Sequence, residues 1–334
     1  MTGRPVITVL SKSVEDRPPF LEELQDKAEV RMCDSEGLAS AMTGAQALFL
    51  WDFFSPALRE AWPHCDALQW VHVAAAGVDS LIFPELSDSD VVVTNARGVF
   101  DRPIAEYVLG VVLAHAKQTH ASADLQRDHL WQHRETRPIR GALAVVVGTG
   151  AIGRECARLL QAAGMQVRGV GRTARHDDPD FGVVVASSEL AEHVGDADYL
   201  VVIAPLTDQT RGLVDARVLA ALPTHAHLVN VGRGESVVTA HLVAALSAGQ
   251  LDGASLDVVD PEPLPQDSPL WDLPGVRITP HMSGDAKGWL ETLARQFVDN
   301  AERWLQGEPL RNVVDTRLGY VSTTPKRGAD APGS

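Results

Sequence analysis

Spacing with chemical meaning first appears at Gly148-Thr149-Gly150-Ala151-Ile152-Gly153, a GxGxxG run. An apolar, strand-like segment (142–147) leads into it, a helical pattern (152–163) follows, and a second strand-like run (166–170) comes next. In that setting Gly148 and Gly150 allow a tight turn and close approach of backbone to a pyrophosphate. Gly153 allows the helix to pack closely on the strand, and the helix start at Ala151 and Ile152 favours negative charge. A dinucleotide site on NAD would then place Asp or Glu about 20 residues on, to bond the ribose 2′-hydroxyl. This chain instead reads Val170-Gly171-Arg172-Thr173-Ala174-Arg175, with no carboxylate before Asp177. The Arg172 and Arg175 guanidiniums and the Thr173 hydroxyl suit a 2′-phosphate, so NADP(H) is the expected cofactor, with NAD(H) possible.

Downstream, three charged residues each follow a strand-like run. Arg233 ends Leu228-Val229-Asn230-Val231-Gly232, Glu262 lies in the Pro-stiffened loop after Leu256-Asp257-Val258, and His281 follows Ile278-Thr279-Pro280. Side chains just beyond the carboxyl ends of parallel strands line the crevice where such sheets bind ligands. Three successive crossovers would therefore bring a guanidinium, a carboxylate and an imidazole near the dinucleotide.

In this order, with separations of 29 and 19 residues, the triplet resembles that of the D-isomer-specific 2-hydroxyacid dehydrogenases, and most the glyoxylate/hydroxypyruvate reductase branch. The resemblance runs from Ala74-Ala75-Ala76-Gly77-Val78-Asp79 through the glycine loop and Ala204-Pro205-Leu206-Thr207 to Pro280-His281-Met282-Ser283-Gly284. It implies that Arg233 clamps a substrate α-carboxylate and polarises the adjacent keto oxygen. His281 would be the general acid/base, and Glu262 would hold its tautomer and favour its protonated form. It further implies that Ala76 and Gly77 offer backbone N–H groups to the substrate, that Pro205 lines the nicotinamide pocket and that Asp257 bonds the carboxamide.

The reaction so implied is NAD(P)H-dependent reduction of a small 2-keto acid to the D-2-hydroxy acid. The fold implied is α/β: two doubly wound parallel-sheet domains, a Rossmann-type domain inserted into a flavodoxin-like substrate domain. A homodimer is expected, with Trp131 in the segment that forms a dimer arm in the family. Two alternatives stay open: an NAD-dependent 3-phosphoglycerate dehydrogenase-like enzyme, and a nucleotide-sensing corepressor-like interaction protein.

The elements that must position these groups are legible as alternation. Strand-like runs at 6–10, 47–50, 70–73, 91–94, 143–147, 166–170, 199–203, 227–231, 253–258 and 276–279 are separated by helical patterns, among them 19–30, 104–117, 239–248 and 289–304. Continuous apolar strands with helical crossovers mark parallel sheets covered on both faces. The expected boundaries are a substrate domain of 1–100 plus 285–320, a dinucleotide domain of 101–284 and a disordered tail of 321–334.

Composition sets the outer limits. The 334 residues are 45% hydrophobic and 22% charged, an ordinary globular balance that excludes fibrous and wholly disordered readings. A net charge of −15 disfavours nucleic acid as a partner. Cys33, Cys65 and Cys156 are too few for a disulfide framework, and no apolar run is long enough for a membrane span. Without a recognisable secretory leader, a cytoplasmic setting is expected. The pairs His129/His133 and His225/His227 lack a third ligand and are expected to be solvent-exposed, so no metal is assigned.

Overall fold

A computed structural model describes residues 3–321. The tail expected to be disordered therefore falls, beyond Val321, outside the described residues. The described chain divides into two units, residues 3–99 with 288–321, and residues 100–287.

The first unit is built on β1 (Val6–Leu10), β2 (Glu29–Cys33), β3 (Ala47–Leu50), β4 (Trp70–Val73) and β5 (Val92–Asn95). They pair in parallel in the order β2-β1-β3-β4-β5, the flavodoxin-like order. Strands β1, β3 and β4 are buried at every residue, as parallel strands covered on both faces must be. The helix Trp289–Leu305 returns to this unit and lays Phe297 flat on Phe49, ring centroids 3.9 Å apart, with Trp70 also stacked on Phe297 at 5.5 Å.

The second unit carries β6 (Leu143–Val147), β7 (Gln166–Gly171), β8 (Arg175–Asp178), β9 (Gly182–Ala186), β10 (Tyr199–Val202), β11 (His227–Asn230), β12 (Gly253–Leu256) and β13 (Val276–Ile278). Their order is β13-β12-β11-β10-β6-β7-β9-β8. Chain direction through the sheet reverses at β6, whose carboxyl end is the topological switch point where such folds bind dinucleotides. The helix Asp101–Ala116 packs on the helix Ala151–Ala162 and buries Ile104, Ala105, Val108 and Val112.

Three sequence expectations are corrected. The 19–30 helix is a single 3-10 turn, Leu21–Leu24, and the chain then enters β2 at Glu29. Leu21 and Leu24 do face inward at helical spacing, but a five-residue ladder to β1 satisfies the backbone of 29–33 better than a continued helix. The second sheet is not purely parallel, because β8 folds back antiparallel on β9. Its Arg-His-Asp-Asp sequence carries no apolar signal, since an edge strand is free to be polar. Finally, His227 is buried rather than solvent-exposed, with Nε2 2.9 Å from Ser255 Oγ, whereas His129 and His133 are exposed.

Candidate active site

The glycine loop leaves β6 at the switch point, and its three glycines are required for different reasons. Gly148 sits at φ +117°, and a Cβ there would lie 2.8 Å from the Ala204 backbone nitrogen. A Cβ on Gly153 would stand 1.8 Å from the Gly148 carbonyl oxygen, so helix and loop could not close. Gly150 has an extended backbone, and a Cβ on it would meet nothing within 4 Å. Packing demands the first and third glycines, while the second borders open space at the start of the helix Ala151–Ala162. That combination, an accessible backbone at a helix N-terminus, fits a pyrophosphate.

Beyond β7, Arg172 and Thr173 are exposed at the strand end. Arg175 is more enclosed: its Nε donates to Asp178 Oδ2 at 2.8 Å. A Cβ at Gly171 would stand 3.6 Å from Arg175 Nη1 and 3.1 Å from Thr149 Oγ1, so this guanidinium borders the glycine loop.

Arg233 follows β11 in a loop tied by its own backbone. Asn230 Nδ2 donates to the Arg233 carbonyl at 3.0 Å, Gly232 N–H donates to Asn230 Oδ1 at 3.1 Å, and Arg233 Nη1 donates to the Gly232 carbonyl at 2.8 Å. A Cβ on Gly234 would come within 2.0 Å of the Val259 carbonyl carbon, so this loop is pressed directly onto the one that carries Glu262. Pro205 is exposed at the mouth of the neighbouring segment, and Ala204, before it, is the close neighbour of both Gly148 and Gly232.

The carboxylate and the imidazole meet. Glu262 Oε2 lies 2.9 Å from His281 Nδ1, and Oε1 accepts the Val259 N–H at 3.1 Å. Burial, the largest influence on Glu262, opposes its charge. The bonds from His281 and Val259 and the charges of His281 and Arg233 outweigh it and hold the carboxyl below its ordinary range. Glu262 is therefore an ionised, acceptor-only partner at neutral pH. His281 itself sits at φ +52°, a left-handed conformation that a residue with a Cβ adopts at a cost.

Asp257 supplies what holds that strained loop. It is 2% exposed, and its carboxylate accepts the N–H groups of Met282 at 3.0 Å and Ser283 at 2.9 Å, and the Thr279 hydroxyl at 2.5 Å. The Asp257 carbonyl accepts the His281 N–H at 2.8 Å. Because the Thr279 proton goes to Asp257, the Tyr107 hydroxyl, 2.7 Å from Thr279 Oγ1, is the donor in that pair. Apart from the carboxamide bond that the resemblance implies for it, Asp257 thus braces the histidine loop. Sequence reasoning missed this brace, and Tyr107 and Thr279 with it. The only available signal was a carboxylate immediately after a buried strand.

Ala76 and Gly77 lie in the first unit, in the turn after β4. Asn95 Nδ2 donates to the Ala76 carbonyl at 2.6 Å and pins the turn. Among the described residues the Ala76 and Gly77 N–H groups enter no backbone hydrogen bond. No group of three His, Cys, Asp or Glu among the described residues is arranged to hold a metal ion, and no helix among them is long and apolar enough to cross a membrane.

Comparison with known proteins identifies the family. Residues 109–283 match the family model described as D-isomer specific 2-hydroxyacid dehydrogenase, NAD binding domain. Glyoxylate/hydroxypyruvate reductase A of Salmonella choleraesuis is 31% identical over 263 residues, spanning 76% of this chain and 82% of its own. Among solved structures, the NADPH-dependent glyoxylate/hydroxypyruvate reductase of Sinorhizobium meliloti, in complex with NADP and sulfate, superposes with a TM-score of 0.78 at 30% identity. It covers 95% of this chain and 100% of its own. The D-isomer specific 2-hydroxyacid dehydrogenase of Xanthobacter autotrophicus Py2, in complex with NADPH and MES, gives the same TM-score, identity and coverage.

Proposed function

The chain belongs to the D-isomer-specific 2-hydroxyacid dehydrogenase family of NAD(P)-dependent oxidoreductases, and from that premise we propose that it reduces a small 2-keto acid of the glyoxylate or hydroxypyruvate kind, using NADPH in preference to NADH. The observation that carries this reading is the 2.9 Å pairing of Glu262 with His281 on a loop braced by Asp257.

When bound, the dinucleotide supplies the hydride; Gly148, Gly150, Ala151, Ile152 and Gly153 would hold its pyrophosphate, and Pro205 would border its nicotinamide. The remaining work falls to side chains. An ionised Glu262 only accepts, so the proton it shares with His281 resides on Nδ1, and Nε2 is the atom whose proton comes and goes. As hydride reaches the carbonyl carbon, the Nε2 proton passes to the keto oxygen, giving the hydroxyl group and a neutral imidazole. The reverse transfer serves oxidation. Arg233, anchored by its own loop, would take the α-carboxylate through its planar fork and stabilise charge developing on the adjacent oxygen. In the first unit, the Ala76 and Gly77 N–H groups would offer neutral donors to a substrate, as the resemblance implies.

The preference for NADPH is supported by Arg172 and Thr173 just beyond β7 and by Arg175 at the start of β8, with no carboxylate among residues 171–176. A homodimer is supported by the resemblance and by Leu130 and Trp131, both fully or largely exposed side by side. Sedimentation of the wild type and of Trp131→Ser tests it: a dimer that loosens in the variant supports the arm, and a monomeric wild type removes it.

The decisive experiment follows absorbance at 340 nm for a panel of 2-keto acids with each reduced cofactor. Fast NADPH oxidation with glyoxylate or hydroxypyruvate is expected. Preference for NADH with a phosphorylated substrate would favour the phosphoglycerate reading, and no oxidation with any acid would remove the reductase reading altogether.

A further inference from the structure

Asp178 is the last residue of β8, and its side chain is only 2% exposed although β8 is an edge strand. Five donors converge on it. Oδ1 accepts Arg154 Nη1 at 2.8 Å and the N–H groups of Asp180 at 3.1 Å and Phe181 at 3.3 Å. Oδ2 accepts Arg154 Nη2 at 2.9 Å and Arg175 Nε at 2.8 Å. Burial opposes ionisation here, yet Arg154, Arg175 and the Asp180 N–H together hold the carboxyl well below its ordinary range.

The two arginines come from different places. Arg154 stands in the first turn of the helix that follows the glycine loop, and its Nη1 also meets Asp180 Oδ2 at 2.6 Å. Arg175 begins the edge strand and is part-exposed. An arginine at such a position loses rotamer freedom only if something holds it. Asp178 holds it through Nε, with Nη1 3.6 Å from the point a Gly171 Cβ would occupy, beside Thr149 of the glycine loop. One buried carboxylate thus couples the pyrophosphate-binding helix to the guanidinium at the ribose end.

We propose that Asp178 is a positioning residue for cofactor choice: by fixing Arg175 against the Arg154 helix it sets the discrimination between NADP(H) and NAD(H). The proposal rests on the NADPH reading above and deepens it. Asp178 touches no cofactor itself; a 2′-phosphate would be met by Arg175, already oriented, together with Arg172 and Thr173.

The test titrates 2′,5′-ADP and 5′-ADP into the wild type, D178N, R175K, R175A and the R175A/D178N double variant, alongside kcat and KM for NADPH and NADH. In D178N an amide NH2 faces guanidinium donors, so Arg175 is released. Affinity for 2′,5′-ADP should fall about tenfold while that for 5′-ADP and kcat at saturating NADPH hold. R175K keeps the charge but loses the Nε tether, and should show the same selective loss on a surface change that leaves folding intact. In the R175A background, D178N should cost nothing further.

Equal loss of both nucleotides in D178N would make Asp178 a fold-stabilising residue and overturn the proposal. So would additive losses in the double variant, or full 2′,5′-ADP affinity in R175K. A wild type that binds both nucleotides equally removes the NADPH reading and this role together. A wild-type preference that survives D178N removes the positioning role alone.

Discussion

The two ends of the second sheet put the same residue type to opposite uses. At the carboxyl ends of the strands, His281 is about one-third exposed and shares a hydrogen bond with an ionised carboxylate. At the opposite end, His227 opens β11, is 3% exposed, and stacks on His115 with ring centroids 4.1 Å apart. Burial, with the nearby charges of His115, Arg277 and His120, pushes the His227 imidazole well below its ordinary range, so it stays neutral. Its Nε2 meets Ser255 while Nδ1 is buried without a partner among the described residues. One histidine is held beside a carboxylate and open to solvent, the other is kept neutral by burial. The lesson is that the two ends of a parallel strand can differ chemically: the crevice where such sheets bind ligands lies beyond the carboxyl ends, and here the amino end of β11 is packed against His115.

The largest effect that would sharpen this contrast comes from His281→Ala. It should lower kcat by about 10²–10⁴-fold while dinucleotide affinity, followed by fluorescence, is retained. Near-normal turnover would break the assignment of proton transfer to this end. Glu262→Gln should come next, with kcat down on the order of 10²-fold, because an amide can no longer hold the Nδ1 tautomer by charge.

Within the glycine loop the contrast is between packing and access. Gly153→Ala forces a Cβ into the Gly148 carbonyl and should cost about 3 kcal/mol in urea denaturation. Gly150→Ala meets no protein atom, so it should leave the urea midpoint in place and weaken dinucleotide binding instead. A Gly150→Ala protein that binds normally would show that this loop does not carry the pyrophosphate.

The smallest effect concerns acid stability. Burial holds His72 in the first unit at about 3, and His227 in the second is lowered as well. The unfolded chain takes up protons below about pH 6.5 that these folded imidazoles refuse, so stability falls as pH drops from there toward 3. His227→Gln should flatten that fall in the urea midpoint between pH 7 and 5, with kcat at pH 7 within about twofold of wild type. An unchanged slope would mean that His227 is protonated in the folded state.

How far the chain could be read in advance depends on burial. The runs 6–10, 47–50, 70–73 and 143–147 coincide with β1, β3, β4 and β6, because central parallel strands covered on both faces are mostly apolar. The edge strands β2 and β8 escaped notice, since Glu-Val-Arg-Met-Cys and Arg-His-Asp-Asp present charge to solvent. Arg233, Glu262 and His281 were legible from order and spacing, and the structure pairs the last two directly. The Asp257 brace under His281 was not, because its partners Thr279, Met282 and Ser283 lie far along the chain, and the Asp178 clamp on Arg175, though local in sequence, forms only where β8 folds back on β9 and Arg154 closes over it.

Local patterns by themselves determined which segments become central strands, where the glycine loop turns, and which three charged residues follow strands. Those outcomes depend on side-chain burial and on backbone freedom at single positions, both of which are properties of short segments. Only the tertiary structure decided what each polar group is bound to: which histidine is exposed beside a carboxylate and which is buried neutral, and which aspartates stand beneath the site. Hydrogen bonds and desolvation act between groups tens of residues apart, such as the 25 between Asp257 and Met282, and that proximity exists only once the sheets have formed.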